Sequence, residues 1–274
     1  MDSLIVKDFD LEKTLKCGQL FRYDDIDDTY LINHRDMLFR VRQDKDRKIL
    51  FFSGVDRKFI NDFFRLEDDY KAIINSISKD KFIRMVIEKY YGMRIIRQDP
   101  WECLISYLCS ARNKIPKIKQ NLSMISKTFG SPISHQGDKG FSFPKPGKIS
   151  NHEALKACKV GFRSEFIHQV NKDIDEKRLI ELKNASYEHA KSELKKIKGI
   201  GDKIADCIAL FSLDKLDSFP IDTWIRKAMI EQYFDGENTS DNKIRDFARD
   251  YFGEFCGYAN QYLFFYRRML FENK

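Results

Sequence analysis

Residues 194–223 read LKKIKGIGDKIADCIALFSLDKLDSFPIDT, and the reading of this stretch decides the fold. It divides into a helix, a tight glycine-rich turn, a second helix and a proline turn that ends in an aspartate. Gly199 and Gly201 permit backbone geometry that a β-carbon forbids. Asp202 opens the second helix, and Ile204, Cys207, Ile208 and Phe211 give it an apolar stripe at helical spacing. Lys203 therefore falls in the first turn, where the helix dipole disfavours a cation. Asp222 follows nineteen residues later, after Pro220. A lysine in that place with a carboxylate behind it points to an amine nucleophile and its partner.

Composition bounds the class. The 274 residues suffice for one large domain or two modest ones, and 42% are hydrophobic, enough for a substantial core. There are 49 Lys and Arg against 42 Asp and Glu, a net charge of +7 that suits a polyanion partner without demanding one. The acidic run Asp24-Asp25-Ile26-Asp27-Asp28 is expected to lie away from such a partner. Six cysteines are present (Cys17, Cys103, Cys109, Cys158, Cys207, Cys256), with no C-x-x-C pair, which argues against a zinc ribbon or redox dithiol. MDSLIVKDFD carries neither a basic leader region nor a long apolar run, and no stretch has the length of a membrane span. The expectation is a cytoplasmic chain, neither secreted nor membrane-bound, with reduced thiols.

The expected fold class is α+β. Residues 1–97 read as an N-terminal antiparallel sheet domain with helices, and residues 98–274 as a helical region. Tyr30–Asn33, Met37–Arg42 and Lys48–Phe52 read as short strands separated by polar turns, with helices beginning near Asp56 and Ser78. Asp99-Pro100 is a helix start, followed by a stripe of Cys103, Leu104, Tyr107, Leu108 and Ala111. Residues 130–150, rich in Gly, Ser and Pro, read as a loop of about twenty residues. The helical pattern resumes near Asn151 and continues to the end.

Several segments resemble one family. Gly199-Ile200-Gly201-Asp202-Lys203-Ile204-Ala205-Asp206-Cys207 followed by Phe219-Pro220-Ile221-Asp222 is similar to G-V-G-T-K-V-A-D-C and V-P-V-D of helix-hairpin-helix DNA glycosylases. The branch is that of the 8-oxoguanine DNA glycosylase/AP lyases. Cys17-Gly18-Gln19-Leu20-Phe21-Arg22 resembles its C-G-Q-S-F-R motif, Asp99 to Ser106 its D-P-I-E-C-L-F-S, and Gly161-Phe162-Arg163 its G-Y-R. The resemblance covers most of the chain. It implies a TBP-like N-terminal sheet domain, a helical catalytic region and a monomer that binds double-stranded DNA containing 8-oxoguanine. It implies no required cofactor, and no iron–sulfur cluster, since the four-cysteine tail of some relatives is missing.

The resemblance also implies residue roles. Lys203 would attack the sugar C1′ and form a Schiff base that permits β-elimination, and Asp222 would stabilise sugar charge or deprotonate Lys203. The attacking amine must be neutral, which burial and the positive helix end would favour. Gly18 would accept N7–H of the flipped base, Cys207 and Phe264 would pack on its two faces, and Asn260 would read its Watson–Crick edge, with Gln261 as the alternative. Gly199 and Gly201 would free N–H groups for a phosphate. The carbonyls of Lys195, Ile197 and Ile200 would offer a place for a monovalent or divalent cation.

Arg112, Asn113, Lys117, Phe162 and Arg163 would meet the DNA. Here the chain departs from the family pattern. The turn N-N-N-I-A-R is Arg112-Asn113-Lys114-Ile115-Pro116-Lys117, so lysine replaces one cytosine-reading arginine. Phe162 replaces a tyrosine wedge, Arg163 keeps the second cytosine-reading place, and Trp224 replaces a phosphate-binding histidine. Weaker preference for cytosine opposite the lesion is expected, because lysine lacks a planar fork.

Residue chemistry alone leaves ordinary alternatives. The hairpin can be a helix–helix turn with a glycine cap, Lys203 a solvated lysine, Asp222 a helix N-cap, Gly18 a turn glycine, and Phe264 core. A non-catalytic DNA-binding module, or a glycosylase for another damaged or mismatched base, stays open at this point.

Overall fold

The computed structural model describes residues 1–272. The N-terminal part is β1 (Asp2–Ile5), α1 (Leu11–Lys16), β2 (Tyr23–Ile26), β3 (Thr29–His34), β4 (Met37–Asp44), β5 (Ile49–Ser53), α2 (Arg57–Phe63), α3 (Tyr70–Ile77) and α4 (Lys81–Lys89). The strands form one antiparallel sheet in the order β1-β5-β4-β3-β2. The three strands read from the sequence are β3, β4 and β5. The short edge strands β1 and β2 are additions. Asp27 and Asp28 both take positive φ, 44° and 61°, and close the β2–β3 hairpin with the twist that two-residue turns favour.

The chain continues with α5 (Pro100–Ser110), α6 (Ile115–Phe129), β6 (Pro132–His135), β7 (Asp138–Phe141), α7 (His152–Ala157), α8 (Arg163–Asp173), α9 (Glu176–Glu181), α10 (Tyr187–Lys195), α11 (Asp202–Ser212), α12 (Thr223–Tyr233), α13 (Asp241–Phe252) and α14 (Cys256–Glu272). The expected loop over residues 130–150 is not structureless. Residues 132–141 form a second hairpin, β6–β7, docked on the first sheet. Arg40 Nη2 donates to Asp138 Oδ1 at 2.7 Å, and His135 Nε2 lies 3.0 Å from Ser53 Oγ. Each strand of this hairpin is only four residues long and largely polar, so the segment carries the sequence pattern of a loop.

Two apolar cores support this layout. One lies behind the sheet and gathers Leu15, Ile32, Phe39, Val41, Leu50, Phe52 and Phe63. The larger one lies among the helices and includes side chains of α3 and α4 with those of α5, α11 and α14. Helix α5 runs through the middle and is buried along nearly its whole length, with Asp99 Oδ1 accepting from Glu102 N at 2.9 Å at its start. Buried Glu102 then joins the layers, accepting from Arg22 Nη1 at 2.9 Å and from Arg35 N at 2.7 Å. Among the described residues no helix is long and apolar enough to cross a membrane.

Candidate active site

Helix α11 begins at the glycine hairpin. Gly199 holds φ +92°, and a β-carbon there would stand 2.5 Å from Phe166 Cγ of α8, so only glycine lets the hairpin pack so closely. Gly201 is the N-cap, contributes no side-chain cap, and has open space where a β-carbon would be. The start of α11 therefore has neither a capping side chain nor atoms crowding its N-cap residue. The Ile197 carbonyl accepts Ile200 N–H at 3.1 Å within the turn. Among the described residues no group of three or more His, Cys, Asp or Glu side chains is placed to hold a metal.

Lys203 is half-buried in the first turn of α11. Its Nζ donates to Ser110 Oγ at 3.0 Å and stands 5.5 Å from the centre of the Tyr107 ring. Both partners come from the last turns of α5. Lys203 thus lies between the positive end of α11 and the negative end of α5, rather than facing the α11 dipole alone. Asp222 caps α12, accepting from Trp224 N at 2.9 Å and Ile225 N at 2.8 Å. Burial pushes its carboxyl above the ordinary value, while the Ile225 N–H, the Lys203 charge and the Trp224 N–H hold it back. Cys207, one turn beyond Lys203, is buried, and burial pushes its thiol up to about 12 against the pull of Lys203. It is a protonated packing surface, not a nucleophile.

The Cys17-Gly18-Gln19 segment approaches from the other side. Gly18 holds φ +94°, and a β-carbon there would lie 2.5 Å from Arg268 Nη1 and 3.1 Å from both Ile115 Cδ1 and Phe264 Cε1. Gly18 and half-buried Phe264 are therefore close neighbours. Gln19 is buried and anchors the segment, with Nε2 on the Arg94 carbonyl at 2.7 Å and Oε1 accepting Ile96 N at 2.8 Å. Tyr107 links the two sides, its hydroxyl donating to the Gln19 carbonyl at 3.3 Å while its ring faces Lys203.

Asn260 lies one helical turn before Phe264 on α14, and its Nδ2 donates to the Pro220 carbonyl at 2.8 Å. It thereby ties α14 to the turn that presents Asp222. Gln261 Nε2 donates to the Cys17 carbonyl at 3.0 Å, beside Gly18.

The expected DNA-contacting residues cluster at the junction of α5, α6 and α8. Arg112 is exposed with φ +50°, Lys117 Nζ reaches Gln120 Oε1 at 2.7 Å, and Phe162 is 56% exposed. Asn113 is turned inward, donating to the Cys109 carbonyl at 3.1 Å and to Asn121 Oδ1 at 3.2 Å. Arg163 is also turned inward. Its guanidinium donates to the carbonyls of Ala111 (Nε, 2.9 Å), Val160 (Nη1, 3.1 Å) and Arg112 (Nη2, 3.2 Å). Trp224 packs on Phe271, with ring centres 4.9 Å apart.

Sequence reading missed Ser110 and took Tyr107 only as part of an apolar stripe. Their three-residue spacing places both on one face of α5, but nothing local says that this face meets α11.

Comparison with known proteins fits this geometry. The family model described as "8-oxoguanine DNA glycosylase, N-terminal domain" matches residues 4–104. The chain resembles the 8-oxoguanine glycosylase/lyase of Clostridium acetobutylicum, solved with double-stranded DNA containing cytosine opposite 8-oxoG. The two superpose with a TM-score of 0.89 at 30% identity, over 98% of this chain and 99% of that one. It is 27% identical to the probable N-glycosylase/DNA lyase of Methanothermobacter thermautotrophicus, over 75% of this chain and 71% of that protein. It is 26% identical to the N-glycosylase/DNA lyase of Saccharomyces cerevisiae, over 81% of this chain and 68% of that protein. The chain belongs to the 8-oxoguanine DNA glycosylase/lyase family of helix-hairpin-helix glycosylases.

Proposed function

We propose that this chain flips 8-oxoguanine out of duplex DNA, excises it with the Lys203 amine, and then cleaves the strand at the abasic site. It is a bifunctional DNA N-glycosylase and AP lyase acting in base-excision repair. The observation that carries the residue assignment is the position of Lys203, held by Ser110 at 3.0 Å, where its charge counters the upward push of burial on the Asp222 carboxyl.

The chemistry follows from that position. The base leaves the stack because its glycosidic bond is inaccessible within a duplex. The amine nitrogen bonds to C1′ as the C1′–N9 bond breaks, and the bond's electron pair departs with the base. Asp222 stabilises the positive charge on the sugar and takes a proton from the amine. The C1′–O4′ bond then opens to give a C1′=N iminium, with O4′ taking the proton that Asp222 carries. Loss of a C2′ proton expels the 3′ phosphate and nicks the strand.

In this reading Gly18 and Cys207 contact the flipped base, Phe264 stacks on it, and Asn260 meets its Watson–Crick edge. Support comes from the Gly18–Phe264 approach and from the shared α14 face of Asn260 and Phe264. Gly201 leaves the start of α11 uncovered for a backbone phosphate, and Gly199 lets the hairpin that presents it pack on α8. A cation on the carbonyls of Lys195, Ile197 and Ile200 fits the same turn, since the Ile197 carbonyl keeps one lone pair after accepting Ile200 N–H. Replacing small inorganic cations by a bulky organic one should then weaken duplex binding, and unchanged affinity rejects the site.

Action as a monomer is part of this reading. Arg112 and Phe162 are exposed toward the expected DNA face. Lys117 in place of a planar fork supports a weakened preference for cytosine opposite the lesion. Sharp discrimination between cytosine and adenine opposite 8-oxoguanine contradicts that point.

The test is a gel assay on an end-labelled duplex with one 8-oxoguanine. Wild type should release the base and nick the strand at that site, and Lys203→Gln should do neither. Lesion-blind binding without cleavage would replace this reading by a non-catalytic module.

A further inference from the structure

We propose that Ser110 is a positioning residue for the Lys203 amine, and that Arg163 acts through Ser110 by fixing the end of α5. This rests on the reading of Lys203 as the nucleophile.

Ser110 is the last residue of α5, and its hydroxyl donates to the Tyr107 carbonyl at 2.7 Å. Its single proton is committed, so toward Lys203 the oxygen is only an acceptor. Lys203 Nζ must therefore present an N–H to it, at 3.0 Å. In the neutral amine, this fixes one N–H and leaves the lone pair directed elsewhere. The Tyr107 ring forms the second wall of the amine site, and it is itself immobile. It stacks on Phe211 with centres 5.5 Å apart at 7°, and its hydroxyl is held by the Gln19 carbonyl.

What holds Ser110 is the way α5 ends. The chain leaves helical geometry at Ala111 (φ −55°, ψ 115°), and Arg112 turns it with φ +50°. The last carbonyls of a helix have no partner within it. Just beyond the helix, the Ala111 and Arg112 carbonyls are bound by the Arg163 guanidinium. Asn113 takes the Cys109 carbonyl through Nδ2 at 3.1 Å and the Ser110 carbonyl through its N–H at 3.2 Å, and Arg163 holds the turn that follows. Exposed Phe162 precedes it, at the surface where the duplex is expected. Two hydrogen-bonded steps, Arg163 to the α5 terminus and Ser110 to Lys203, join that surface to the nucleophile.

The test is the rate of borohydride trapping on duplexes that carry a preformed abasic site, across a pH range and opposite each of the four bases. The amine bonds to the sugar aldehyde C1′, water leaves, and borohydride delivers hydride to the C=N bond. At saturating enzyme, Ser110→Ala should lower the rate about tenfold and move the pH profile without changing duplex affinity. Ser110→Thr should restore the rate. Arg163→Gln should lower it by a similar factor opposite all four bases, and the double variant should be no slower than the slower single one.

An unchanged pH profile in Ser110→Ala overturns the role of Ser110. A loss in Arg163→Gln confined to cytosine, or effects that multiply in the double variant, overturn the link through Arg163. Thermal unfolding followed by circular dichroism checks that each variant folds. If Arg163→Gln fails to fold, Arg163→Lys, which keeps one donor to the Ala111 carbonyl, is read instead. Lys203→Gln separates the two readings. Trapping that persists without Lys203 refutes the nucleophile, whereas a silent Lys203→Gln beside an unaffected Ser110→Ala refutes only this inference.

Discussion

Gly18 and Phe264 stand 246 residues apart in the chain, yet a β-carbon on Gly18 would come within 3.1 Å of Phe264 Cε1. Gly18 also holds φ +94°, a conformation that side chains resist. Gly18→Ala should therefore distort the segment at a cost of about 1–3 kcal/mol. That corresponds to roughly five- to 150-fold in single-turnover excision of 8-oxoguanine. Cleavage of a preformed abasic site, where there is no base to seat, should change much less. Equal losses in both assays would remove Gly18 from the base pocket.

Asp222 serves as both cap and carboxylate. Asn caps helices as well as Asp does, so Asp222→Asn should keep the bonds to Trp224 and Ile225 and leave thermal stability nearly unchanged. Excision should nevertheless fall by about 10²–10⁴, because only the charge is lost. Lesion-duplex affinity, measured in parallel, should stay near wild type. A variant that excises at full rate is incompatible with the role given to Asp222.

Asp206 anchors the helix that carries Lys203. It is fully buried, accepts from Tyr187 OH at 2.7 Å and Arg245 Nε at 3.0 Å, and pairs with Lys191 Nζ at 3.0 Å. Burial pushes its carboxyl up, and Lys191 and Arg245 restrain it. Asp206→Asn leaves two cations facing a neutral amide and should cost roughly 3–5 kcal/mol in urea unfolding. A loss below about 1 kcal/mol, the level of surface ion pairs, would show that the network is not an anchor.

How much of this was legible depends on distance along the chain. Lys203 and Asp222 could be read because their signals are local, a glycine hairpin before one and a cap position for the other. The strands β3, β4 and β5 carry short apolar runs bounded by polar turns: Tyr30 to Ile32, Met37 to Phe39 and Ile49 to Phe52. In contrast, β2 reads Tyr-Asp-Asp-Ile and is an exposed edge, while the β6–β7 hairpin is hidden in a Gly- and Ser-rich run. Neither has enough buried side chains to leave a pattern. The Ser110–Lys203 bond spans 93 residues and exists only because α5 packs on α11. The inward turn of Arg163 likewise depends on where α5 ends, which no local spacing reports.

Asp214 gives the acid response of the same region. It follows α11 and joins Arg65 and Arg97 of the N-terminal part, with Arg97 Nε at 2.9 Å. Burial would raise its carboxyl, but the Arg65 and Arg97 charges outweigh this and hold it below the ordinary value of 3.8. A depressed folded value means the contribution is complete above pH 3.8 and disappears as the pH falls through the folded value. Wild type should thus unfold at higher urea than Asp214→Asn at neutral pH, and the gap should close well below pH 3.8. A gap that is independent of pH contradicts the assignment.

The most direct measurement is borohydride trapping on a duplex with a single 8-oxoguanine, comparing wild type with Lys203→Gln. Amine catalysis at Lys203 predicts a covalent protein–DNA adduct with wild type, on the lesion duplex and not on its undamaged counterpart, and none with Lys203→Gln. An adduct of equal yield from Lys203→Gln, or tight lesion binding by wild type without any adduct, would contradict amine catalysis at Lys203.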